Sequence, residues 1–337
     1  MPVGSSDNLA RVCDREGNRR KAIGLGTLGV VRPALNLLDE RPVLAAILGA
    51  LTIAFSAIFV SLADVSPATA AIFRCVYALP PLALLAWMEG RRYGPRAEGQ
   101  RRWAWIAGIF FAFDLVLWHH AIGQVGAGLA TVLGNTQVVF VPILAWLLLG
   151  ERPGIRVAIS VPIVLLGVAL ISGVFDDQAF GADPVLGVIF GLGTGVAYAG
   201  FILAQRHANA DLRRPAGPLF DATLSAAVCS LLIGLPLGEV DLVPTWPAHG
   251  WLILLALSVQ VGGWLLISIS LPRLPAAITS VVLTLQPVGS VLLGIWILNE
   301  VPSPLQLVGV ALILVGLLVT TLRVRARPWR TAQPEVG

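Results

Sequence analysis

The sequence predicts an all-α polytopic membrane protein with ten transmembrane helices, arranged as two inverted five-helix repeats. Three observations predict this fold. The composition is strongly apolar, apolar stretches recur between loops that carry arginine only on alternate sides, and the second half of the chain repeats the first at a fixed offset.

The composition alone narrows the class of protein. Of the 337 residues, 56% are hydrophobic and 12% are Asp, Glu, Lys or Arg, about half the charged share of a soluble domain. Because a soluble fold needs a polar surface, soluble enzymes, disordered chains and nucleic-acid-binding proteins are excluded. The three cysteines, Cys13, Cys75 and Cys229, are scattered and odd in number, which argues against a disulfide framework or a CxxC site. The expected environment is a lipid bilayer, with no metal, cofactor or nucleic-acid partner.

The apolar stretches define the predicted spans. A helix crosses about 30 Å of hydrocarbon with roughly 20 mostly apolar residues, and such stretches recur from Val43 onwards. They are wholly apolar rather than alternating, so the period-two pattern of a β-barrel does not fit. The predicted spans are 43–63, 67–88, 103–122, 127–149, 154–174, 184–204, 216–237, 250–270, 275–298 and 304–322.

The basic residues predict the orientation of these spans, because cytoplasmic loops collect Lys and Arg. All but one of the 23 basic residues precede the first span, follow the last, or lie in alternate loops or, as Arg156 does, within two residues of one; the exception is Arg74. The pattern predicts that both termini are cytoplasmic, in the cytoplasmic membrane. Residues 1–42 then form a cytoplasmic N-terminal extension and 323–337 a cytoplasmic tail. The net charge of +4 is an orientation signal rather than the footprint of an anionic ligand.

An internal repeat relates residues 43–174 to residues 184–322. A shift of 149 residues, without a gap, aligns Gln137 with Gln286, Glu151 with Glu300, Pro153 with Pro302 and Gly167 with Gly316. Because each half holds five spans, the second half should enter the membrane inverted. The same shift aligns Arg152 with Val301. The loss of the arginine is expected if the first turn lies on the cytoplasmic side of the membrane and its counterpart on the outer side. Inverted repeats that meet near the midplane are the architecture of many secondary transporters.

The chain resembles the EamA-type members of the drug/metabolite transporter superfamily. The likeness lies in AWLLLGERP (145–153), its weaker twin GIWILNEVP (294–302) and the five-plus-five duplication. Family members commonly carry Ser-Pro in the fourth and ninth helices; here Pro287 is kept, but Val138 stands at the matching place, with Pro142 one turn later. The resemblance implies a carrier for small metabolites, often an exporter of amino acids or related compounds. It transfers no binding residues.

Two charges inside the predicted spans are the first candidates for a substrate-binding site. A charge at membrane depth costs at least about 2.5–3.5 kcal/mol and therefore indicates a function. At 1.5 Å per residue, Arg74 lies about 10 Å below the outer face and Asp114 about 16 Å from the cytoplasmic face. Arg74 could receive a carboxylate or phosphate, and Asp114 an ammonium group or a coupling proton. There are two alternatives to a substrate-binding role: the two residues form a permanent structural ion pair, or the Arg74 side chain extends to the interface.

Amide and aromatic side chains are further candidates. Asn135 and Gln137 share the fourth span, and Gln286 is the repeat twin of Gln137; interhelical hydrogen bonding is their alternative role. Gln260 and Trp264 stand four residues apart, so they share one helix face and could clamp an organic substrate or simply pack. The remaining candidates are Tyr77 and Tyr198, whose hydroxyl groups need partners.

Several other features favour structural roles. His119 and His120 point about 100° apart on a helix and are not expected to hold one metal ion, and Asp221 is expected to be solvated. Gly187, Gly191, Gly195 and Gly200 have spacings that favour close helix packing. GLGTLG (24–29) lacks the βαβ context of a nucleotide site.

The leading interpretation is a secondary carrier that works by alternating access on a small-molecule substrate, not an enzyme. Because the sequence carries no P-loop, energy should come from a gradient or from exchange. A channel or a non-transporting sensor is the alternative, and a membrane-embedded enzyme is a weaker one, since HExxH and GxSxG are absent. A homodimer is left open.

Overall fold

The computed structural model describes residues 41–150, 153–270, 274 and 276–321, which are helical apart from short connections. Several helices begin with proline, whose fixed φ suits the first helical position and whose missing N–H costs no hydrogen bond there. The helices are α1 Pro42–Ala54, α2 Ser56–Ala63, α3 Pro67–Tyr93, α4 Glu98–Gly134, α5 Gln137–Leu149, α6 Ile155–Ile171, α7 Pro184–Ala208, α8 Ala216–Leu237, α9 Ala248–Leu254, a π-helix Leu255–Gly263, α10 Trp264–Ser270, α11 Ala276–Ile297 and α12 Pro304–Thr321.

The helices are those of a multi-pass membrane protein. Six helical stretches are long and apolar enough to span a bilayer, and four apolar helices are shorter. Their outer faces carry exposed apolar side chains such as Leu84, Leu148 and Leu292, which would be unfavourable in water but suit lipid. The full count of ten spans stays a prediction. The six long stretches are Pro42–Ala63, Pro67–Tyr93, Glu98–Gly134, Pro184–Ala208, Ala216–Leu237 and Ala248–Ser270.

The chain reverses at Gly126, inside α4. Gly126 has φ +84° and ψ 169°, a conformation that glycine adopts readily and other residues do not. Contacts along α7 reveal the two arms. Gly187, Gly191 and Gly195 lie against Val125, Leu133 and Thr136 in turn, so residue numbers rise together on the two helices. Gly193 and Gly200 lie against Leu117 and Phe110, so on this side the numbers fall as those of α7 rise. The arms 98–125 and 127–134 therefore run in opposite directions along α7.

The glycines of α7 allow both arms to approach closely. A Cβ at Gly191 would lie 2.6 Å from Cβ of Leu133, and one at Gly200 would lie 2.5 Å from Cδ1 of Phe110. Real Cβ atoms do not tolerate such contacts, so larger residues would push the helices apart. The predicted packing role of these glycines is confirmed.

Helix starts in the two halves keep the repeat spacing. The starts at Pro67 and Ala216, and at Ile155 and Pro304, lie 149 residues apart. The arm that begins at Ala127 and α11, which begins at Ala276, have the same separation. The helices related in this way also meet, because α3 packs on α8 and α6 on α12. The inversion itself stays a prediction, and Glu151, Arg152, residues 1–40 and residues 322–337 lie outside the described residues.

Polar contacts define two ends of the molecule. At the arginine-rich end, the turn between α3 and α4 meets the start of α8, and Arg96 Nη2 lies 2.7 Å from Asp221 Oδ2. Asp221 is buried, so the expectation of a solvated carboxylate is wrong; its neutralising partner lies 125 residues away in the chain. The opposite end holds the turns 63–67, 171–184, 237–248 and 297–304, where His120 Nε2 lies 3.1 Å from Glu239 Oε1.

Candidate functional site

A small polar cavity of about 50 Å³ lies at the centre of the helices. It brings together residues of α1, α2, α3, α4, α7, α10 and α11. Most of the polar candidates from the sequence are among them, with aromatic rings between the charges. Its polar and aromatic lining consists of Ser56, Arg74, Phe111, Asp114, Trp118, Thr131, Asn135, Thr194, Tyr198, Trp264 and Gln286.

Arg74 is the cation of this cavity and is only 4% exposed. Its Nε donates to Oε1 of Gln260 at 3.0 Å, and Nη1 donates to Oγ of Ser56 at 3.2 Å. The guanidinium carbon lies 5.9 Å from the ring centroids of both Phe111 and Trp118, within the range of cation–π attraction. These neutral partners hold the guanidinium in place without cancelling its charge.

Asp114 lines the same cavity and is 7% exposed. Although the structure describes both side chains, no ion pair within 4.0 Å joins Asp114 to Arg74, so the alternative of a permanent structural pair is not observed. An isolated buried charge is costly unless it is paired. The cavity therefore holds a guanidinium and a carboxyl group that are not joined by a direct ion pair.

Gln260 positions Arg74 and does not line the cavity. It is fully buried in the π-helix Leu255–Gly263, and its Nε2 donates to Oγ1 of Thr223 at 3.3 Å. This bond orients the amide so that its oxygen faces Arg74. A single π-helical stretch within a longer α-helix often marks a functional site.

Trp264 supplies an aromatic wall. Its ring packs edge-on against Phe111, Tyr198 and Phe201, with centroids 6.2, 6.2 and 5.5 Å away. The indole Nε1 is buried without a hydrogen-bond partner among the described residues. A buried indole N–H usually finds a partner, so this donor is available to a bound molecule.

A second cavity of about 490 Å³ continues from the first towards the arginine-rich end. The two share Asn135, Tyr198, Trp264 and Gln286. The larger one also contains Gln137, so the three amides predicted in the fourth and ninth spans do come together. Its lining reaches Asn209 and the half-exposed Leu212 in the connection between α7 and α8.

The amides meet because the fourth predicted span is interrupted. Asn135 and Thr136 separate α4 from α5, and both side chains bond back to the preceding turn. Asn135 Nδ2 donates to Thr131 O at 2.8 Å, and Thr136 Oγ1 donates to Leu133 O at 2.6 Å. Asn and Thr compete with helical hydrogen bonding in this way, which places the break before Val138.

Tyr77 and the two adjacent histidines lie outside both cavities. Tyr77 Oη is 2.6 Å from Nδ1 of His249. His119 Nδ1 lies 3.0 Å from the carbonyl oxygen of Pro67, while His120 pairs with Glu239. The two histidines therefore have separate partners, as their 100° divergence predicts.

Sequence reasoning missed five of the polar and aromatic residues that line the central cavity: Ser56, Phe111, Trp118, Thr131 and Thr194. Trp118 gives no signal of a binding site, because tryptophan is common in membrane helices near the interface. Serine, threonine and phenylalanine within an apolar stretch give no signal of their own. Only the position of Ser56 beside Arg74, 18 residues away in the chain, reveals its role.

Comparisons with known proteins agree with this architecture. A model of the EamA-like transporter family matches the chain twice, over residues 41–173 and 185–322. The chain is 23% identical over 261 residues to "Uncharacterized transporter YwfM" of Bacillus subtilis (strain 168), covering 75% of this chain and 84% of the relative.

Two further comparisons are weaker. "Uncharacterized transporter sll1319" of Synechocystis sp. (strain ATCC 27184 / PCC 6803 / Kazusa) is 27% identical over 147 residues, which cover 40% of this chain and 44% of the relative. A crystal structure of a protein superposes with a TM-score of 0.56 at 19% identity, covering 84% of this chain and 97% of that one. The superposition supports the fold alone.

Proposed function

Because the chain belongs to the EamA-like transporter family, we propose that it is a secondary carrier for small zwitterionic metabolites such as amino acids. Transport proceeds by alternating access across the cytoplasmic membrane. The observation that carries this proposal is the presence of Arg74 and Asp114 in one buried cavity without an ion pair between them.

The chemistry of the cavity favours a substrate that carries both charges. Arg74 uses Nε and Nη1 for Gln260 and Ser56, which leaves Nη2 to bind a substrate carboxylate by a charge-assisted hydrogen bond. Asp114 then accepts the substrate ammonium group. A purely anionic or cationic substrate would leave one buried charge unmatched, at a cost that a zwitterion avoids.

The repeat supports alternating access. The twofold family match and the helix starts 149 residues apart both indicate duplicated halves. In an inverted duplication, α3 and α8 are counterparts, as are α6 and α12, so their contacts lie on the pseudo-two-fold axis. Halves related in this way can rock about a central site.

The larger cavity gives the site access from the side on which an exporter takes up its substrate. It extends from the central residues to Asn209 and Leu212 at the arginine-rich end, and Lys- and Arg-rich loops are cytoplasmic in most membrane proteins. The structure then corresponds to a form that is open to the cytoplasm, from which an exported metabolite enters.

Counterflow in proteoliposomes tests the proposal. Purified protein is reconstituted, the vesicles are loaded with unlabelled amino acids, and uptake of a labelled amino acid is measured. A carrier accelerates uptake when the inside is loaded. A pore gives fast flux without acceleration, a sensor binds without flux, and an enzyme changes the labelled compound; each of these results contradicts the proposal.

Matched analogues test the role of each charge. For one amino acid, the amine without its carboxylate and the acid without its ammonium group should compete at least about tenfold more weakly than the parent. Arg74→Ala should abolish counterflow while the protein still inserts into the membrane. Arg102→Ala, which removes an arginine with an 81% exposed side chain, is the matched control and should leave counterflow unchanged.

A further inference from the structure

The carboxylate of Glu300 is buried at the end of the molecule that lies away from the cavity mouth. Glu300 is 6% exposed and lies in the turn between α11 and α12. Its Oε1 accepts a hydrogen bond from the backbone N–H of Ala127, and Oε2 accepts one from Gly128 at 3.1 Å. These are the first N–H groups of the arm that follows the break at Gly126, where an α-helix leaves donors unsatisfied and favours a negative charge.

The local backbone fits this contact closely. Asn299 has φ +55°, and the N–H of Glu300 donates to the carbonyl of Gly294 at 3.1 Å, which closes the turn after α11. A Cβ at Gly126 would lie 2.7 Å from Glu300 Oε1, and one at Gly128 would lie 3.2 Å from Oε2. Glycines therefore make room for the carboxylate.

The contact joins the two halves of the chain. Ala127 and Gly128 belong to the first segment that the family model matches, and Glu300 to the second. Beside it, the fully buried Gln306 also crosses between the halves, because its Nε2 donates to the carbonyl of Ile171 at 3.2 Å. Its Oε1 accepts from the N–H of Phe180 at 2.8 Å, in the connection between the halves. The halves are thus fastened together at the end opposite the cavity mouth.

We propose that Glu300 is a latch that holds this end closed while the arginine-rich end is open. The inference rests on the alternating access of the proposed function. For the opposite end to open, the turn that carries Glu300 must leave Ala127 and Gly128, and both charge-assisted hydrogen bonds are lost. The latch therefore favours the present form by its differential contacts in the two states.

Spin-label distances across the latch test it without any substrate. In full-length protein that lacks its natural cysteines, labels are attached at Gly123→Cys and Val301→Cys, both at exposed positions. The unaltered latch should give one predominant short distance. Glu300→Gln keeps the side-chain shape but turns an NH₂ group towards one backbone donor, so a longer distance should rise about tenfold in population.

A second variant removes the latch from the other side. Ala127→Pro deletes the N–H that donates to Glu300 at a first helical position, where proline costs no intrahelical bond. It should raise the same long-distance population, and it should add little in the Glu300→Gln background because one contact has already been broken. Unchanged distances in both variants would overturn the latch.

Glu239→Gln is the matched control. Glu239 lies at the same end but does not contact Glu300: its Oε2 accepts from the N–H of Ala68 at 3.3 Å, and its Oε1 lies 3.1 Å from Nε2 of His120, so it ties α3 and α4 to the end of α8. This substitution should lower the unfolding temperature and leave the label distance unchanged. The label measurement involves no substrate, so it is independent of the counterflow assay. If the variants lengthen the distance but the protein shows no counterflow, the latch is sustained and the proposed function is rejected. If the protein shows counterflow but the variants leave the distance unchanged, only the latch is rejected.

Discussion

The α3–α8 pair is fastened at both ends, whereas Glu300 fastens the halves at one end. At the arginine-rich end, the Glu89 carboxylate accepts from the N–H groups of Ala216 and Gly217 at 3.0 and 2.8 Å. At the opposite end, Glu239 accepts from Ala68. We therefore propose different tasks for the two regions: α3 and α8 form a fixed axis that carries Arg74, and the elements joined by Glu300 move around it.

The largest expected effect concerns the ion pair beside this axis. Arg96→Met leaves Asp221 buried with only Arg101 nearby, at 3.8 Å. Removing one partner of a buried pair is destabilising because the other charge is left without its closest partner, so thermal unfolding in detergent should occur at a lower temperature. Combining Arg96→Met with Asp221→Leu should recover much of the loss. If Arg96→Met alone unfolds like the unaltered protein, the axis is not fastened there.

A smaller loss of stability, similar in size at both ends, is expected when either of the carboxylates that accept hydrogen bonds from the first N–H groups of α3 and α8 is removed. Glu89→Gln and Glu239→Gln each weaken a charged hydrogen bond to a helix N-terminus, at about 1–2 kcal/mol. Both should reduce the free energy of unfolding by similar amounts in chemical denaturation, with no change in the distance between labels at residues 123 and 301. A changed distance would break the distinction between axis and moving parts.

Gln260→Leu should impair substrate binding more than protein stability. Arg74 loses the acceptor for its Nε, so the guanidinium is less well oriented, and the KM for counterflow should rise about five- to tenfold with little change in the maximal rate. Gln260→Glu retains an acceptor and should restore part of the affinity. An unchanged KM in Gln260→Leu would remove the positioning role.

The smallest effect is expected at the surface. Glu98 and Arg102 lie 3.9 Å apart with side chains 90% and 81% exposed. Such exposed pairs contribute little, so Glu98→Gln should change neither the unfolding temperature nor counterflow. A measurable loss there would indicate that the larger effects above are not specific to buried groups.

Much of the fold could be predicted from hydropathy and charge. The predicted starts of the second, sixth and seventh spans match the helices that begin at Pro67, Pro184 and Ala216, because a polar turn and often a proline mark each boundary. The break at Asn135 and the π-helix around Gln260 could not be predicted in this way. They depend on local backbone hydrogen bonds, which a hydropathy value averaged over 20 residues does not report.

The charged residues of the candidate site could be predicted from the sequence, but the residues that contact buried charged side chains could not. Arg74 and Asp114 stand out because charges are rare in apolar spans. Three contacts join residues more than 100 positions apart in the chain: Arg96 with Asp221, Arg74 with Gln260, and Ala127 with Glu300. Such contacts follow from tertiary packing and not from any sequence spacing.

The most direct test of alternating access measures both ends of the same protein. One pair of spin labels spans the latch at Gly123 and Val301, and a second pair at Leu148 and Leu212 reports on the arginine-rich end. When a transported amino acid is added to protein in nanodiscs, one distance should lengthen as the other shortens. If both lengthen together, forming a continuous pore, or if neither changes, the molecule does not work as a carrier that alternates about the Arg74 cavity.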